Sequence, residues 1–540
     1  MHHPVSLDAF RGPASVEDEG LLEADALVLV RGVDGSICAC GLPKPSPGHS
    51  IWPCAVPVLT ISRAVELLFF FFFFLSLNVS CTNGGKHHRR LISVSSLLMI
   101  NDTECSSSSS SDSEYGGNQS RIQVVHRHGP CSPLRQPKAP LDHGRRALEH
   151  DRRRVASLHG RRQAESSSRS YPGNSLAATM QGRYGLALGS ADFVVTVGFG
   201  SPPQAMSVIF DSGSDLSWIQ CLPCPSSLCY TQKEPLFDPS KSSHYSPLSC
   251  ASTYCSSDSS AFCVGFDDCE YTVAYGDGSQ TQGLLSQDTL TLTSSRVLDD
   301  FVFGCGEANS GLFGEVAGII GLGRNQISLP SQANGGAFSY CLPPYASSTG
   351  YLALGTSNGS RLNSPKNLHF TSLLSRLDAP SFYFVELVGI SVGGKDLGIS
   401  PTSFSDPGTF IDSGTVLTYL PAAAYAALRS EFQWRMRQYP TSTAGMDLLD
   451  TCYDLKGYDR VAVPAVVLHF SGGARLDVDG SGILIPMDSS SAIACLAFAE
   501  TGPNGFSIIG NMQQKTYNIL YDVPNEKIGF GAGGCTADPF

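Results

Sequence analysis

An internal repeat constrains the fold of this chain more than any other feature of its sequence. An apolar stretch followed by Asp-Ser-Gly-Ser/Thr occurs at residues 208–214 (VIFDSGS) and again at 409–415 (TFIDSGT). In each copy a segment with two isoleucines and a glycine follows about 100 residues later, at 318–323 (GIIGLG) and 507–512 (SIIGNM). Self-similarity of this kind is typical of one structural unit used twice. The sequence therefore predicts two similar lobes, each of which contributes one Asp-Ser-Gly motif.

The texture of the chain from Asp192 onward predicts β-structure. Short apolar runs alternate there with clusters of Gly, Ser, Pro and Asp, a pattern typical of strands separated by turns. One helix is predicted over Pro421–Gln438, which is Ala-rich and begins with proline in its first turn. The fold class is therefore all-β, with two related lobes. The clearest predicted strands are 193–200 (FVVTVGFG), 207–210 (SVIF), 289–293 (TLTLT) and 300–304 (DFVFG).

Composition divides the chain into regions. Residues 67–77 (LLFFFFFFLSL) are too short to span a bilayer but match the hydrophobic region of a signal peptide, although a buried apolar stretch has the same composition. Residues 1–81 are therefore interpreted as an N-terminal extension with a signal-like segment, and no stable membrane span is expected. Residues 82–190 are rich in Ser and Arg, which favours a linker or pro-segment rather than a core. The two lobes are placed at 191–376 and 377–540.

Charge is distributed unevenly along the chain. The sequence has 36 Lys and Arg against 48 Asp and Glu, a net charge of −12. Residues 1–189 carry 20 basic and 16 acidic side chains, and the remaining 351 residues carry 16 and 32. The two lobes therefore lack the basic surface that nucleic-acid binding needs. Their acidity suits an environment of low pH, where many of the carboxylates are protonated.

The cysteines favour disulfides. Twelve of the 18 cysteines follow residue 200, an even number in a chain with a signal-like segment. Zinc is the alternative, because Cys221 and Cys224 have the spacing of a ligand pair, but no second such pair or histidine partner follows at finger or ribbon spacing. We expect six disulfides and no metal site. The twelve are Cys221, Cys224, Cys229, Cys250, Cys255, Cys263, Cys269, Cys305, Cys341, Cys452, Cys495 and Cys535.

The two motif aspartates, Asp211 and Asp412, predict a catalytic pair. A single Asp-Ser-Gly is well explained as a turn, but two copies, each behind an apolar strand, indicate a site. Two carboxylates held about 3 Å apart cannot both ionise easily, so the pair retains one proton over a range of acidic pH. The charged member can take a proton from water while the neutral member donates one to a carbonyl oxygen. This chemistry needs no cofactor.

From about Asp192 to Cys535 the sequence resembles the pepsin-type aspartic proteases, in particular the plant nepenthesin-like branch, whose first lobe has a Cys-rich insertion. The motifs are DSGSDLSW, YGDGSQTQG, the two IIG segments and the second DSGT. Upstream, Val124–Leu134 (VVHRHGPCSPL) is similar to the pro-segment of the chloroplast-nucleoid DNA-binding type. The resemblance implies a monomeric endopeptidase with a bilobal fold, an active-site cleft between the lobes, an acidic pH optimum and protein or peptide substrates.

The resemblance also assigns the residues around the aspartates. Asp211 and Asp412 match the catalytic pair, and Ser214 and Thr415 match hydroxyls that bond the outer carboxylate oxygens. The remaining motif positions match the support of the two loops. They are Ser212 and Ser413, whose inner hydroxyls tie the loops together, and Gly213 and Gly414.

One of these positions departs from the family pattern. Many family members have threonine where this chain has Ser212, which keeps the hydroxyl but lacks a methyl group. We expect this difference to affect the rigidity of the loop more than the chemistry.

Tyr275 matches the tyrosine of the flap, the hairpin that closes over the substrate, with Gly276 and Asp277 at its tip. Glycines allow a tight hairpin, and tyrosine offers an apolar face and one hydrogen bond. Trp218 matches a tryptophan beneath the flap, although a core tryptophan is an equally fair interpretation. Asn358, in an Asn-Gly-Ser sequon, is predicted to be glycosylated.

The basic stretch Arg145–Arg169 predicts how a precursor would be kept inactive. A short basic helix is expected at Ala147–Gly160, and the acidic lobes should attract it at neutral pH. A basic side chain resting on the aspartates would favour the ionised form of both. Acid would weaken the attraction, and a cut is expected between about Glu165 and Asp192. The chain would then be a secreted zymogen, active in the apoplast, the vacuole or a plastid.

The alternative function is a catalytically silent protein of the same fold that binds or inhibits other proteins, because fold does not imply activity. Loss of either aspartate is the usual mark of such proteins in the resemblance. Asp211 and Asp412 are both present, which favours the enzyme.

Overall fold

The structure is a computed structural model that describes residues 27–31, 37–41, 89–97, 104–105, 121–135, 148–159, 184–185 and 193–535, apart from gaps at 258–259, 266, 276–277, 334, 356–367, 444–447 and 488–491. The signal-like segment 67–77, the flap tip Gly276–Asp277 and the sequon at Asn358 lie outside the described residues. The chain divides into two units, Met1–Cys81 and Thr82–Phe540. In the first unit, β1 (Leu27–Arg31) and β2 (Ile37–Gly41) form an antiparallel hairpin.

The second unit contains the other described elements. Its strands are β3 (Arg89–Ser93), β4 (Arg121–His126), β5 (Tyr184–Gly185), β6 (Phe193–Phe199), β7 (Gln204–Asp211), β8 (Trp218–Gln220), β9 (Ser246–Pro247), β10 (Ala261–Val264), β11 (Asp268–Tyr275), β12 (Gln280–Thr293), β13 (Arg296–Ser310), β14 (Gly318–Gly321), β15 (Ala337–Cys341), β16 (Thr349–Leu354), β17 (His369–Leu374), β18 (Tyr383–Val385), β19 (Leu387–Val392), β20 (Lys395–Asp396), β21 (Thr409–Ile411), β22 (Thr418–Leu420), β23 (Thr441–Ser442), β24 (Cys452–Asp454), β25 (Arg460–Pro464), β26 (Val466–Phe470), β27 (Arg475–Asp477), β28 (Leu484–Pro486), β29 (Ile493–Leu496), β30 (Phe498–Glu500), β31 (Ser507–Ile509), β32 (Tyr517–Asp522) and β33 (Lys527–Ala532). Its helices are α1 (Val94–Leu97), α2 (148–159), α3 (Thr253–Ser257), α4 (Leu329–Gln332), α5 (Thr402–Ser405), α6 (Ala422–Met436) and α7 (Asn511–Gln514).

The all-β prediction is confirmed, and all four predicted strand segments lie largely within observed strands. The predicted long helix is α6, which begins directly after Pro421 because the fixed φ of proline suits a helix start and the alanines that follow favour helix. Its buried side chains include Leu428, Phe432 and Met436, one side of the helix. Among the described residues, no helix is long and apolar enough to cross a membrane.

Both copies of the repeat have the same strand arrangement. In the first lobe β14 runs parallel to β7 and pairs Gly321 with Asp211. In the second lobe β31 runs parallel to β21 and pairs Ile509 with Ile411, the residue before Asp412. Each IIG segment therefore lies beside the strand that leads to an aspartate, and all four strands are almost entirely buried. The two aspartates emerge from equivalent, rigid positions.

A sheet connects the lobes and includes two strands from the 82–190 region, β4 and the short β5, which pairs with β11. β15 of the first lobe pairs with β32 of the second, and β4 lies between β16 and β6. Ile122, Val124 and Val125 of β4 are buried. The composition of residues 82–190 predicted a linker or pro-segment rather than a core. β4 differs because its local sequence, RIQVVH, is rich in β-branched residues although the region around it is polar.

All twelve cysteines after residue 200 form disulfides, as predicted. Cys221 pairs with Cys305 and Cys224 with Cys229, so the two cysteines with zinc-ligand spacing are bonded to other partners. The other four pairs are Cys250–Cys263, Cys255–Cys269, Cys341–Cys535 and Cys452–Cys495. A seventh pair, Cys105–Cys131, was not predicted and lies within the 82–190 region.

Candidate active site

The structure brings the two predicted aspartates together. Asp211 is the last residue of β7, and Asp412 directly follows β21. Both carboxylates are fully buried. The glycines of the motifs make this approach possible, because a Cβ at Gly213 would lie 2.9 Å from Asp412 Oδ1 and one at Gly414 would collide with Asp211 Oδ1. Each glycine therefore leaves room for the carboxylate of the opposite lobe.

Hydrogen bonds hold the two loops in one arrangement. The N–H of Ser212 donates to Ser413 Oγ at 3.0 Å, and the N–H of Ser413 donates to Ser212 Oγ at 2.8 Å. The N–H groups of Gly213 and Gly414 donate to Oδ1 of the aspartate of their own loop at 3.0 and 2.9 Å. The inner hydroxyls thus link the lobes, and the inner carboxylate oxygens are fixed by the backbone.

The outer hydroxyls make contacts of different strength. Thr415 Oγ1 donates to Asp412 Oδ2 at 2.6 Å. Ser214 Oγ is buried and makes no direct hydrogen bond of this kind among the described residues, although the Ser214 side chain helps to lower the pKa of Asp211. The outer oxygen of Asp211 accepts a hydrogen bond from Nη1 of Arg154 at 3.3 Å.

Arg154 lies between the two carboxylates. Its Nη2 donates to Asp211 Oδ1 at 2.7 Å and to Asp412 Oδ2 at 2.8 Å, and its Nε donates to Asp412 Oδ2 at 3.1 Å and to Thr415 Oγ1 at 3.2 Å. The arginine side chain is fully buried. Its planar guanidinium can satisfy several acceptors at once, which suits a position shared by two carboxylates.

The pKa values of the two carboxyls move in opposite directions. Burial alone would raise the pKa of Asp211, but the charge and hydrogen bonds of Arg154 lower it below its usual range. Burial raises the pKa of Asp412 against the opposing charge of Arg154, and the negative charge of Asp211 adds to the rise. The sequence argument expected a cation to keep both aspartates ionised. The net effect is downward only at Asp211, because burial and like-charge repulsion outweigh the cation at Asp412.

Helix α2 delivers Arg154 to the site. Its inner face consists of Leu148, Asp151, Arg154, Val155 and Leu158, which are all buried and follow the spacing of one helix face. The helix agrees with the short basic helix predicted at 147–160.

The arginines that precede Arg154 point outward. Arg152 and Arg153 are exposed and pair with Glu149, and their hydrogen bonds lower its pKa to about 2. Of these three arginines, Arg154 alone lies on the inner face of the helix and contacts the aspartates.

Two further contacts fix α2 in the cleft. The Asp151 carboxylate accepts hydrogen bonds from the N–H of Val416 at 2.6 Å, the N–H of Leu417 at 3.1 Å and the Tyr419 hydroxyl at 2.9 Å. At the other end of the helix, His159 Nε2 lies 3.2 Å from the Phe506 carbonyl oxygen. The helix is therefore held against the second lobe on both sides of Arg154.

Tyr275, which the resemblance assigns to the flap, packs against Trp218. Trp218 Nε1 donates to the Tyr275 hydroxyl at 2.7 Å, and both side chains are buried. The Phe313 ring contacts both of them edge-on, with centroid distances of 5.0 Å to Trp218 and 5.7 Å to Tyr275. Arg127, just after β4, donates to the Phe313 carbonyl oxygen at 2.6 Å.

No sequence motif singles out Phe313, Arg154 or Asp151. Phe313 lies in a Gly-rich stretch without a motif, whereas the helical spacing around Arg154 contained a usable signal. Within the described parts of the chain, no group of three or more His, Cys, Asp or Glu side chains is placed to hold a metal ion. The site therefore consists of two carboxylates, their loops, the flap residues and α2.

Family models match both lobes. The model described as Xylanase inhibitor N-terminal matches residues 193–356, and the model described as Xylanase inhibitor C-terminal matches residues 382–532. Together they cover more than half of the chain. Residues 357–381 lie between the two matches.

Named relatives and a solved structure agree with this assignment. An aspartyl protease family protein of Arabidopsis thaliana is 44% identical over 426 residues, which cover 77% of this chain and 88% of the relative. The aspartic proteinase nepenthesin-2 of Nepenthes gracilis is 37% identical over 77% of this chain and 94% of its own length. The crystal structure of EDGP, at 22% identity, covers 64% of this chain and 92% of that chain with a TM-score of 0.50, and supports the fold alone. The chain therefore belongs to the pepsin-type aspartic protease family, in its plant nepenthesin-like branch, and is an aspartic-type endopeptidase.

Proposed function

We propose that this endopeptidase works through the pair Asp211 and Asp412, which share one proton and activate a water molecule against peptide bonds. One observation carries the proposal: two buried carboxylates from equivalent positions of a repeat face each other across loops that bond reciprocally. Two carboxylates this close cannot both ionise easily once the cation has left, so the pair would retain one proton over a range of acidic pH. The apparent pKa values belong to the pair, so neither role is assigned to one aspartate.

The chemistry follows from the shared proton. The ionised carboxyl takes a proton from a water molecule as its oxygen attacks the carbonyl carbon, and the protonated carboxyl donates to the carbonyl oxygen. The pair is competent only between its two apparent pKa values, because both carboxylates are ionised above them and both are neutral below them. Activity should therefore peak at acidic pH. The substrates are proteins or peptides that lie in the cleft beneath the hairpin of Tyr275.

The position of Arg154 between the aspartates supports the proposal that the chain is made as an inactive precursor. The guanidinium of Arg154 occupies the space between the two carboxylates, which the attacking water needs. Its charge lowers the pKa at both carboxyls relative to a free pair. Protonation of the carboxyls in acid would therefore weaken the binding of α2. The proposed cut, between about 165 and 192, lies outside the described residues apart from 184–185.

The proposed setting is the secretory pathway, with the apoplast or the vacuole as destination and a plastid as the alternative. Seven disulfides suit an oxidising compartment. The signal-like segment, the glycosylation of Asn358 and the monomeric state belong to the same proposal.

Substitution of each aspartate tests the function. Asp211→Asn and Asp412→Asn should each abolish hydrolysis of a protein substrate between pH 3 and pH 6 while the protein stays folded, because the change removes a proton site but little volume. Asp454→Asn is the matched control, since the side chain of Asp454 is exposed and accepts a hydrogen bond from the N–H of Lys456 in its own turn. Wild-type cleavage by either active-site variant would contradict the dyad. A folded wild type that cleaves nothing after removal of α2 would favour the silent binding protein.

A further inference from the structure

The backbone carbonyl groups of the two aspartates have hydrogen-bond donors of different kinds. In the first lobe the carbonyl oxygen of Asp211 accepts from the N–H of Leu322, which follows the IIG segment, at 2.9 Å. The equivalent residue of the second lobe, Asn511, donates its N–H to the last residue of the Asp-Ser-Gly-Thr motif instead. The carbonyl oxygen of Asp412 accepts from Nε2 of Gln514 at 3.1 Å. A side chain therefore supplies in the second lobe the hydrogen bond that the backbone supplies in the first.

Three hydrogen bonds fix the orientation of the Gln514 amide. Its Nε2 also donates to the Ile509 carbonyl oxygen at 2.8 Å, and its Oε1 accepts from the hydroxyl of Tyr340 at 2.5 Å. Because both backbone partners are acceptors, the NH₂ group must face them and the amide oxygen must face Tyr340. The proton of the Tyr340 hydroxyl is therefore used in the bond to Gln514.

The hydrogen bonds continue through Tyr521 to the first Asp-Ser-Gly motif. The hydroxyl oxygens of Tyr340 and Tyr521 are 3.0 Å apart, and Tyr521 must donate because the proton of Tyr340 is already used. The Tyr521 hydroxyl is also hydrogen-bonded to the side chain of Ser212, so the Ser212 hydroxyl donates to it. Ser212 Oγ in turn accepts from the N–H of Ser413 at 2.8 Å.

These bonds close into a ring, because the N–H of Ser413 and the carbonyl of Asp412 belong to the same peptide group. Each hydroxyl of the ring donates once and accepts once, and the four side chains are fully buried. Hydrogen bonds that follow one another in a medium of low dielectric strengthen each other. In order from the Ser413 N–H, the hydrogen-bond ring consists of Ser212, Tyr521, Tyr340, Gln514 and the Asp412 carbonyl.

The hydrogen-bond ring connects the lobes beneath the aspartate pair. Tyr340 lies on β15 of the first lobe, Tyr521 on β32 of the second, and Gln514 ends α7. Burial and, to a smaller extent, the charge of Asp412 raise the pKa of both tyrosines above the usual range, so both hydroxyls keep their protons in acid. A rotation of the peptide group after Asp412 would break two bonds of the ring and move the carboxylate relative to that of Asp211.

We propose that Gln514, Tyr340 and Tyr521 are positioning residues for catalysis, which act through the peptide group after Asp412 to hold the two carboxyls at the distance that proton sharing requires. The inference rests on the proposed function and extends it to side chains beneath the pair. Because the bonds form one ring, the loss of any one hydroxyl should loosen the whole arrangement.

Substitution of the tyrosines tests the positioning role. Tyr340→Phe and Tyr521→Phe each remove one hydroxyl and little volume, and each should lower kcat of the activated enzyme by about tenfold with KM nearly unchanged. Tyr517→Phe is the matched control, since Tyr517 also lies on β32 and is buried, and its hydroxyl bonds the backbone of Asp477 outside the ring. The control should keep the kcat of the wild type.

The pH profile separates positioning from a purely structural role. Repulsion between the two close carboxylates is what separates the apparent pKa values of the pair. A looser pair should therefore have a narrower profile of kcat/KM, with the acidic limb higher and the upper limb lower by about 0.5 pH units each. A change that affects only stability would reduce the amount of folded enzyme and leave both limbs in place.

A double variant tests whether the bonds act as a ring. If either substitution opens the ring, Tyr340→Phe combined with Tyr521→Phe should lose no more than about threefold in kcat beyond either single variant. Independent contributions would multiply to about a hundredfold loss, which would contradict the ring. Gln514→Met, which keeps the length of the side chain but removes all three of its hydrogen bonds, should lose at least as much kcat as the tyrosine variants if it folds.

The outcomes distinguish this inference from the proposed function. Wild-type kcat in Tyr340→Phe and Tyr521→Phe, or in a folded Gln514→Met, would overturn the inference and leave the aspartate pair intact. A loss of kcat without a change in either limb of the pH profile would also overturn it, because it would indicate a structural role. Cleavage that survives Asp211→Asn would contradict the proposed function instead.

Discussion

The two active-site loops have different partners seven residues after the aspartate. In both lobes a hydroxyl, Ser217 or Thr418, accepts a hydrogen bond from the glycine of the IIG segment, at 3.1 and 3.2 Å. At the next position the first lobe has Trp218, which donates to Tyr275 of its own flap. The second lobe has Tyr419, which donates to Asp151 of α2.

This difference shows that the two lobes share the strands beneath the aspartates but not the residues that follow the motifs. The scaffold beneath each aspartate is duplicated, so the carboxylates meet in a symmetric setting. The residues that follow differ: Trp218 of the first lobe bonds Tyr275 of the same lobe, whereas Tyr419 of the second lobe bonds Asp151 of α2. The hydrogen bonds of Asp151 to the cleft are all made with the second lobe.

Replacement of Arg154 should produce the largest effect. Removing one partner of a buried ion pair typically costs about 3–5 kcal/mol, so Arg154→Gln should loosen α2 and give the full-length precursor at least tenfold more peptide hydrolysis at pH 5 than wild type. The matched control is Arg153→Gln, because Arg153 is exposed and pairs only with Glu149 among the described residues. An Arg154→Gln precursor that stays as inactive as wild type would show that the guanidinium does not block the site.

The binding of α2 should weaken as the pH falls. Arg154 lowers the pKa of Asp211 in the bound state, so the bound state holds fewer protons than the released one and binding strengthens with rising pH. The contribution of the Arg154–Asp211 ion pair to the binding of α2 is therefore fully present above the pKa of the released pair. It is lost as the pH falls through the lower pKa of the bound pair. Hydrogen exchange of residues 148–159 in Asp412→Asn, which cannot cleave itself, should show strong protection at pH 6 and little at pH 3. Protection that is independent of pH would exclude release by acid.

The outer hydroxyls should differ in their contribution to stability. Thr415→Val removes a hydrogen bond to a charged group, and such bonds contribute about 1.5–3 kcal/mol. Ser214→Ala removes a hydroxyl that helps to lower the pKa of Asp211 but makes no direct hydrogen bond like that of Thr415 among the described residues, so its effect on the free energy of unfolding should be smaller than that of Thr415→Val. Urea unfolding of the precursor at pH 6 measures both. Equal losses in the two variants would mean that the loops are more symmetric than the structure shows.

The hydroxyl of Ser212 should contribute the smallest measurable stabilisation. Ser212→Ala leaves the N–H of Ser413 without its acceptor and should lower the free energy of unfolding by about 1 kcal/mol, and it should also reduce activity. Ser212→Thr keeps the hydroxyl and adds a buried methyl, so it should be neutral or slightly stabilising. An alanine variant as active and as heat-resistant as wild type would show that this hydroxyl does not tie the loops.

Much of this architecture could be predicted from the sequence because the repeat encodes it. The Asp-Ser-Gly motifs and the IIG segments specify strands that pair in parallel, and the glycines specify the close approach of Asp211 and Asp412. The pairing of cysteines such as Cys221 with Cys305 could not be predicted, because connectivity depends on which strands become neighbours in space.

Arg154 could have been identified by periodicity but not by motif. Leu148, Asp151, Val155 and Leu158 have the spacing of one helix face, and Arg154 is the arginine that shares it. That this face binds the aspartate pair depends on contacts between residues more than 250 positions apart, such as Arg154 with Asp412.

One measurement tests the central claim, that the carboxylates held by Arg154 are those that perform the cleavage. Residues 83–540 are produced as wild type and as Asp211→Asn, both are brought to pH 4, and size and N-terminal sequence are followed with time. The wild type should shorten to a new N-terminus between about 165 and 192 while the variant stays full-length. The account is contradicted if the wild type digests added substrate without shortening, or if the Asp211→Asn variant shortens at the same rate.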